Sequence, residues 1–147
     1  MGQEIRKMMI MSNMLRYNHT SYTKRTLKDV ISDIDRYYEF YPNTNGIFFD
    51  EMSNESGKEG YYVEIAKYAR TENFQFIIGN RGTDLPSSFV DVGDVFVVYE
   101  NVNLPDLSRS FQVSSDKSKL AIIAYEISDF PKNWTQEACQ KVSWLFL

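Results

Sequence analysis

The sequence predicts a parallel α/β fold, and three observations carry that reading. Short, dense apolar runs recur along the chain: "GIFFD" (46–50), "FQFIIGN" (74–80), "DVFVVYEN" (94–101) and "KLAIIAYEI" (119–127). Segments with helical spacing or helix-start signals lie between them, the alternation that produces a parallel sheet. Polar groups then gather at the C-terminal ends of the runs: Asp50 and Glu51, Asn80, Glu100 and Glu126. Two topologies fit, an open doubly wound sheet and a (β/α)8 barrel. Both keep their ligand at that end of the strands.

Taken in order, "TLKDVISDIDRYYEFY" (26–41) places Leu27, Val30, Ile31, Ile34, Tyr38 and Tyr41 on one helical face. Thr26 is its expected N-cap, with Asp29 where a capping box puts its acid. Pro42 and Asn43 end it. A strand follows over 46–50, then a Ser, Asn and Gly-rich loop. A Tyr-rich helix is expected over about 58–71, with Tyr62, Ile65 and Ala69 at helical spacing. The run 74–80 has the composition of a strand covered on both faces. A brief helix opened by Pro86 is expected over 86–93, a strand over 94–101, and a short helix over 104–112. A strand over 119–127, a helix over 135–142 and a final strand over 143–147 complete the pattern. The Met-rich start reads as irregular or as a frayed strand.

No linker or repeat divides the chain, so residues 1–147 are expected to form a single domain. The net charge of −4 leaves no basic stripe for phosphates, which argues against a nucleic-acid partner. No apolar run approaches the ~20 residues of a membrane span. Cys139 is the only cysteine and His19 the only histidine, so neither a disulfide nor a multi-histidine or cysteine metal site is expected. No cofactor motif is present: "GNRGT" (79–83) lacks the Lys-Ser/Thr of a phosphate loop. A magnesium-dependent receiver-type domain also gathers acids at strand ends, but needs a Lys and Ser/Thr set that is not found. The start of the chain lacks the long apolar segment of a signal peptide. Three sequons, at Asn18, Asn54 and Asn133, matter only in a secreted protein.

Two or three acids from different strands at one mouth is the constellation that glycoside hydrolysis needs. One acid protonates the leaving oxygen, and a second stabilises or attacks the oxocarbenium-like centre. Repulsion and partial burial keep one of them protonated. Asp50 and Glu51 cannot both point into a cleft from a regular strand, but that rule relaxes at a strand's last residue. The alternative is that these acids only cap loops and helix N-termini.

The blocks "YNHTSYTKRTLKDVISDID", "NGIFFDEMSN", "IIGNRGT" and "DVFVVYEN" together resemble the spherulin 4 family of glycoside hydrolase-like proteins, over about residues 17–147. The family includes enzymes that cut galactosamine-containing polysaccharide. The resemblance implies a (β/α)8 barrel with its acids at the C-terminal mouth. It also implies Glu100 as general acid/base, Asp50 as nucleophile or charge stabiliser, and Glu51 as the group that orients its neighbours. A 2-acetamido sugar can supply its own nucleophile, which would divide the work differently. The expected activity is endo-acting hydrolysis, with a poly- or oligosaccharide as the partner. The expected alternative is a non-catalytic carbohydrate-binding or structural remnant. The family barrel has two strands before "HTSY", where this chain has only residues 1–16, and its last strand runs on past "LFL". The resemblance thus implies a partial barrel, strands three to eight. Arg81 stands where the family usually has Pro. Family members are commonly secreted.

Other residues have two readings each. His19, Tyr22, Asn80, Tyr125 and Glu126 are candidate sugar contacts, or else packed or solvated strand-end side chains. Trp134 is a stacking platform or a helix-start anchor. Trp144 is expected in the core, and Cys139 as a small buried hydrophobe.

Overall fold

The computed structural model describes residues 15–108, 111, 116–129 and 131–147. The Met-rich start, residues 109, 110 and 112–115, and residue 130 lie outside them. Six strands are present: β1 (Leu15–His19), β2 (Gly46–Asp50), β3 (Phe76–Asn80), β4 (Val95–Val102), β5 (Leu120–Tyr125) and β6 (Trp144–Phe146). They form one all-parallel sheet in the order β1-β2-β3-β4-β5-β6. The helices are α1 (Leu27–Phe40), α2 (Glu59–Thr71) and α3 (Trp134–Lys141).

Sequential order means that every crossover moves the chain one strand along. Residues from all three helices (Val30 and Ile34, Tyr62 and Ile65, Ala138) share one core cluster with Ile47, Phe49, Ile77, Phe96 and Ile122. The helices therefore cover the same face of the sheet. A doubly wound sheet would put helices on both faces, so the sheet is singly wound. The opposite face holds a second cluster of Phe48, Ile78, Val95, Val97, Ala121 and Ile123, with Leu15, Tyr17 and Phe146 against it. A cavity of about 290 Å³ at the N-terminal ends of the strands is lined by Leu15, Phe76, Ile78, Val95, Trp144 and Phe146, among others. One space thus touches both β1 and β6, so the sheet curls around its second cluster.

The N-terminus of α1 is built as expected. Thr26 Oγ1 accepts the Asp29 N–H at 3.2 Å and donates to the Asp29 carboxylate at 2.7 Å. Its buried face is narrower than the spacing predicts. Val30 and Ile34 are buried, but Leu27, Tyr38 and Tyr41 are exposed, and Tyr37 packs partly against the core instead. A single helix on a curved sheet touches it along a thin stripe.

Four expectations are corrected. The segment 86–93 holds only a three-residue 3-10 turn, Ser87–Phe89, whose role is to bury Phe89. No helix forms among the described residues of 104–112; the chain there runs irregularly past Pro105, whose carbonyl accepts the Trp134 indole N–H at 3.2 Å. That bond and its burial make Trp134 an anchor of α3. Trp144 is 41% exposed: it pairs with Ala121 on the second-cluster face, but at the rim of the cavity. Cys139 is exposed, because Ala138 occupies the buried face of α3.

Candidate active site at the strand ends

Asp50 is the last residue of β2 and is buried. Burying a carboxylate demands donors, and three are supplied. The Tyr17 hydroxyl donates to Oδ2 at 2.8 Å, while the Asn80 amide and the Glu51 N–H donate to Oδ1, each at 2.8 Å. Tyr17 reaches it because β1 and β2 are in register, Tyr17 beside Phe48 and His19 beside Asp50. Side chains in register on parallel strands share a face.

Asn80 ends β3, and its amide nitrogen also donates to Glu100 Oε2 at 2.5 Å. One side-chain amide therefore holds both carboxylates. Glu100 is on this face only because β4 is irregular. Strict alternation from Val95, which faces the second cluster, would turn Glu100 toward the helices. A bulge between Val97 and Tyr99 absorbs one residue, so Tyr99 pairs with Ile122 and Glu100 with Ile123. Ile123 belongs to the second cluster, and Glu100 lies on its side. Bulges commonly re-aim side chains next to sites in this way. Burial pushes the Glu100 carboxyl above its usual range, and the neighbouring Asp50 charge adds to this, against the pull of the Asn80 amide.

Glu51 escapes the alternation rule through its backbone, with φ 53°. Its carboxylate accepts from Ser21 Oγ at 3.2 Å and lies 3.7 Å from His19 Nδ1, which is 3.0 Å from the same Ser21 hydroxyl. The turn carrying Ser21 is unusual: Ser21, Tyr22 and Thr23 all have positive φ, at 48°, 55° and 69°. Such residues are costly unless the surroundings over-determine them. Here Thr20 Oγ1 donates to the Glu51 carbonyl at 2.8 Å and lies 3.1 Å from Tyr62 Oη. The Tyr22 N–H donates to the Glu51 carbonyl at 2.8 Å, and Arg25 Nη1 to the His19 carbonyl at 2.8 Å. The same turn leaves Tyr22 46% exposed at the mouth.

The structure thus brings Asp50, Glu51, Asn80, Glu100 and His19 into one connected group. Tyr125 packs against the second cluster; Glu126 is exposed at φ 56°, and among the described residues no hydrogen bond joins either to the Asp50 group. Arg81 turns to the helix-covered face, its guanidinium 4.3 Å from the Phe89 ring and 3.5 Å from Asn54 Oδ1. Sequence reasoning missed Tyr17, Ser21, Thr20 and Tyr62 as supports of the site. Tyr17 was findable, since it lies two residues before His19 on the same face of one strand. Among the described residues no cluster of His, Cys, Asp and Glu could hold a metal ion, and no helix is long and apolar enough to cross a membrane.

Three comparisons bear on this arrangement. The profile of Spherulation-specific family 4 matches residues 3–147. Spherulin-4 of Physarum polycephalum is 32% identical over 90 residues, which is 60% of this chain and 27% of that protein. The crystal structure of Aspergillus clavatus Sph3 in complex with GalNAc superposes with a TM-score of 0.75 at 19% identity, covering 90% of this chain and 62% of that one. The chain thus spans about a quarter of one relative and under two thirds of the other. Its fold is that of Sph3, and by its match over nearly its whole length the chain belongs to Spherulation-specific family 4.

Proposed function

We propose that this chain is an endo-acting glycoside hydrolase for galactosamine-containing polysaccharide, its curled sheet being strands three to eight of a (β/α)8 barrel. The observation that carries the reading is the Asn80 amide held between two carboxylates in unlike surroundings. Asp50, with three donors on its two oxygens, is the nucleophile or charge stabiliser. Glu100, buried and pushed up, is the acid. The GalNAc bound to the structurally similar fungal protein fits the substrate class.

In this mechanism Glu100 gives its proton to the glycosidic oxygen as the C1–O bond breaks. Asp50 attacks C1 or stabilises its positive charge, and Glu100 then takes a proton from the water that releases the product. Because both carboxylate oxygens bond one nitrogen, they lie within about 5 Å of each other, the close spacing of glycosidases that retain configuration. Glu51, held by Ser21 beside His19, orients the mouth. His19, Tyr22, Asn80, Tyr125 and Glu126 are the proposed sugar contacts.

A second reading, sugar binding without cleavage, is favoured by one observation: the described strands leave the outer edges of β1 and β6 without a strand partner. Reducing-end assays on galactosamine-containing polysaccharide decide between the two. The first reading expects new reducing ends with retained anomeric configuration. It also expects a loss of about a hundredfold or more in Glu100→Gln, whose sugar binding persists. Binding by the native chain with no cleavage would overturn it in favour of the second.

A further inference from the structure

Asn80 uses only part of its hydrogen-bonding capacity within the protein. Its amide nitrogen is committed to Asp50 and Glu100, which also fixes which end of the amide is nitrogen: an oxygen there would face the Asp50 carboxylate. The other end, Oδ1, is buried and has no hydrogen-bond partner, on a side chain belonging to a residue only 4% exposed. A buried acceptor left without a donor costs about 1–3 kcal/mol. The glycine backbone at Gly82 puts no side chain against this oxygen. Gly82 adopts φ +63°, and a Cβ added there would meet only Asn80 Oδ1, at 4.0 Å.

We propose that Asn80 Oδ1 is a specificity-determining acceptor that reads the hydrogen-bond donor at C2 of the sugar being cleaved. This rests on the glycoside-cleaving reading above. An amide that bridges the acid and the nucleophile sits beside C1, and the chemistry of C1's neighbours narrows the choice. The ring oxygen carries no hydrogen, and neither does the glycosidic oxygen before Glu100 protonates it. The substituent at C2 is the remaining neighbour, and in hexoses and hexosamines it is a donor: a hydroxyl, an acetamido N–H or an ammonium group. Hydrogen bonds at this position strengthen as the oxocarbenium-like transition state forms. A site built around such a donor discriminates strongly against a substrate lacking it, because its own buried group is then left unpaired.

The test is NMR titration of the full chain with N-acetylgalactosamine, galactose and 2-deoxygalactose, repeated with Asn80→Leu. The native chain is expected to bind 2-deoxygalactose about tenfold or more weakly than the sugar it prefers. Asn80→Leu is expected to bind all three alike. A preference for N-acetylgalactosamine over galactose identifies an N–H as the donor read; equal binding of the two identifies either donor as sufficient. If Asn80→Leu does not fold, the native complex still decides. The amide proton of bound N-acetylgalactosamine, or the C2 hydroxyl proton of bound galactose, should show slowed exchange. Sugars bound with no C2 preference, or a preference that survives Asn80→Leu, would overturn the inference and leave the hydrolase reading standing. Binding of none of the three would overturn both.

Discussion

Asp50 and Glu100 carry the same functional group, and their difference comes from what surrounds each. Asp50 accepts from Tyr17, Asn80 and the Glu51 backbone. Among the described residues Glu100 has one hydrogen-bond donor, the Asn80 amide, and burial outweighs it. That difference has a consequence for stability. A carboxyl whose value is raised on folding binds its proton more tightly in the folded state. It therefore supports folding below the ordinary glutamate value of 4.5 and opposes it as pH rises through the raised value. Glu100→Gln removes the titration. Its melting temperature relative to the native chain is expected to climb as pH rises from 4.5 through that window, and to level off above it. A difference that stays constant with pH would show that Glu100 does not titrate differently in the folded state. The residues that make the site were only partly legible. Asp50, Glu51 and Glu100 stood out as charges at the ends of apolar runs, whereas Tyr17 and Thr20 support the site through contacts between strands far apart in sequence.

Elements place these residues as much as residue type does. Alternation along β4 alone would aim Glu100 at the helices, and the bulge at Val97/Tyr99 reverses that. Nothing in "VFVVYE" announces a bulge, so the position of Glu100 was legible while its direction was not. The strands were legible because buried parallel strands are unbroken apolar runs. The short segment 86–93 and the described part of 104–112 were not, because one turn of helix and an irregular loop use similar residues. β3 shows how tightly elements meet behind the site. A Cβ at Gly79 would run into Met52 Sδ and stand 2.9 and 3.0 Å from the buried Phe96 ring. Met52 follows the acids and bonds back to β3 through its N–H to the Asn80 carbonyl at 2.9 Å. Gly79→Ala is thus expected to destabilise the fold by about 1–3 kcal/mol, read as a lower melting temperature. An unchanged melting temperature would show that Met52 and Phe96 can give way.

At the scale of the molecule, one feature of the topology does the assembling. Because each crossover moves one strand along and every helix stays on one face, the strand ends of β1 to β4 converge on a single mouth. The parallel α/β class was legible from the alternation of apolar runs and helical segments. The choice of a singly wound sheet was not legible from that alternation, since it depends on which face each helix covers; only the family resemblance implied it. Trp144 shows the same limit: its apolar strand suggested core, and only the curl of the sheet puts it at the rim of an open cavity. The central claim is that neighbouring strand ends, with the β4 bulge, couple a carboxylate on β2 to a carboxyl on β4 across Asn80. The measurement that tests it most directly is a carbon-13 NMR titration of the Glu100 carboxyl in the native chain and in Asp50→Asn. Coupling requires Glu100 to titrate above the usual glutamate range, and Asp50→Asn to lower it by removing the opposing charge. A Glu100 that titrates in the ordinary range and ignores Asp50→Asn would contradict it.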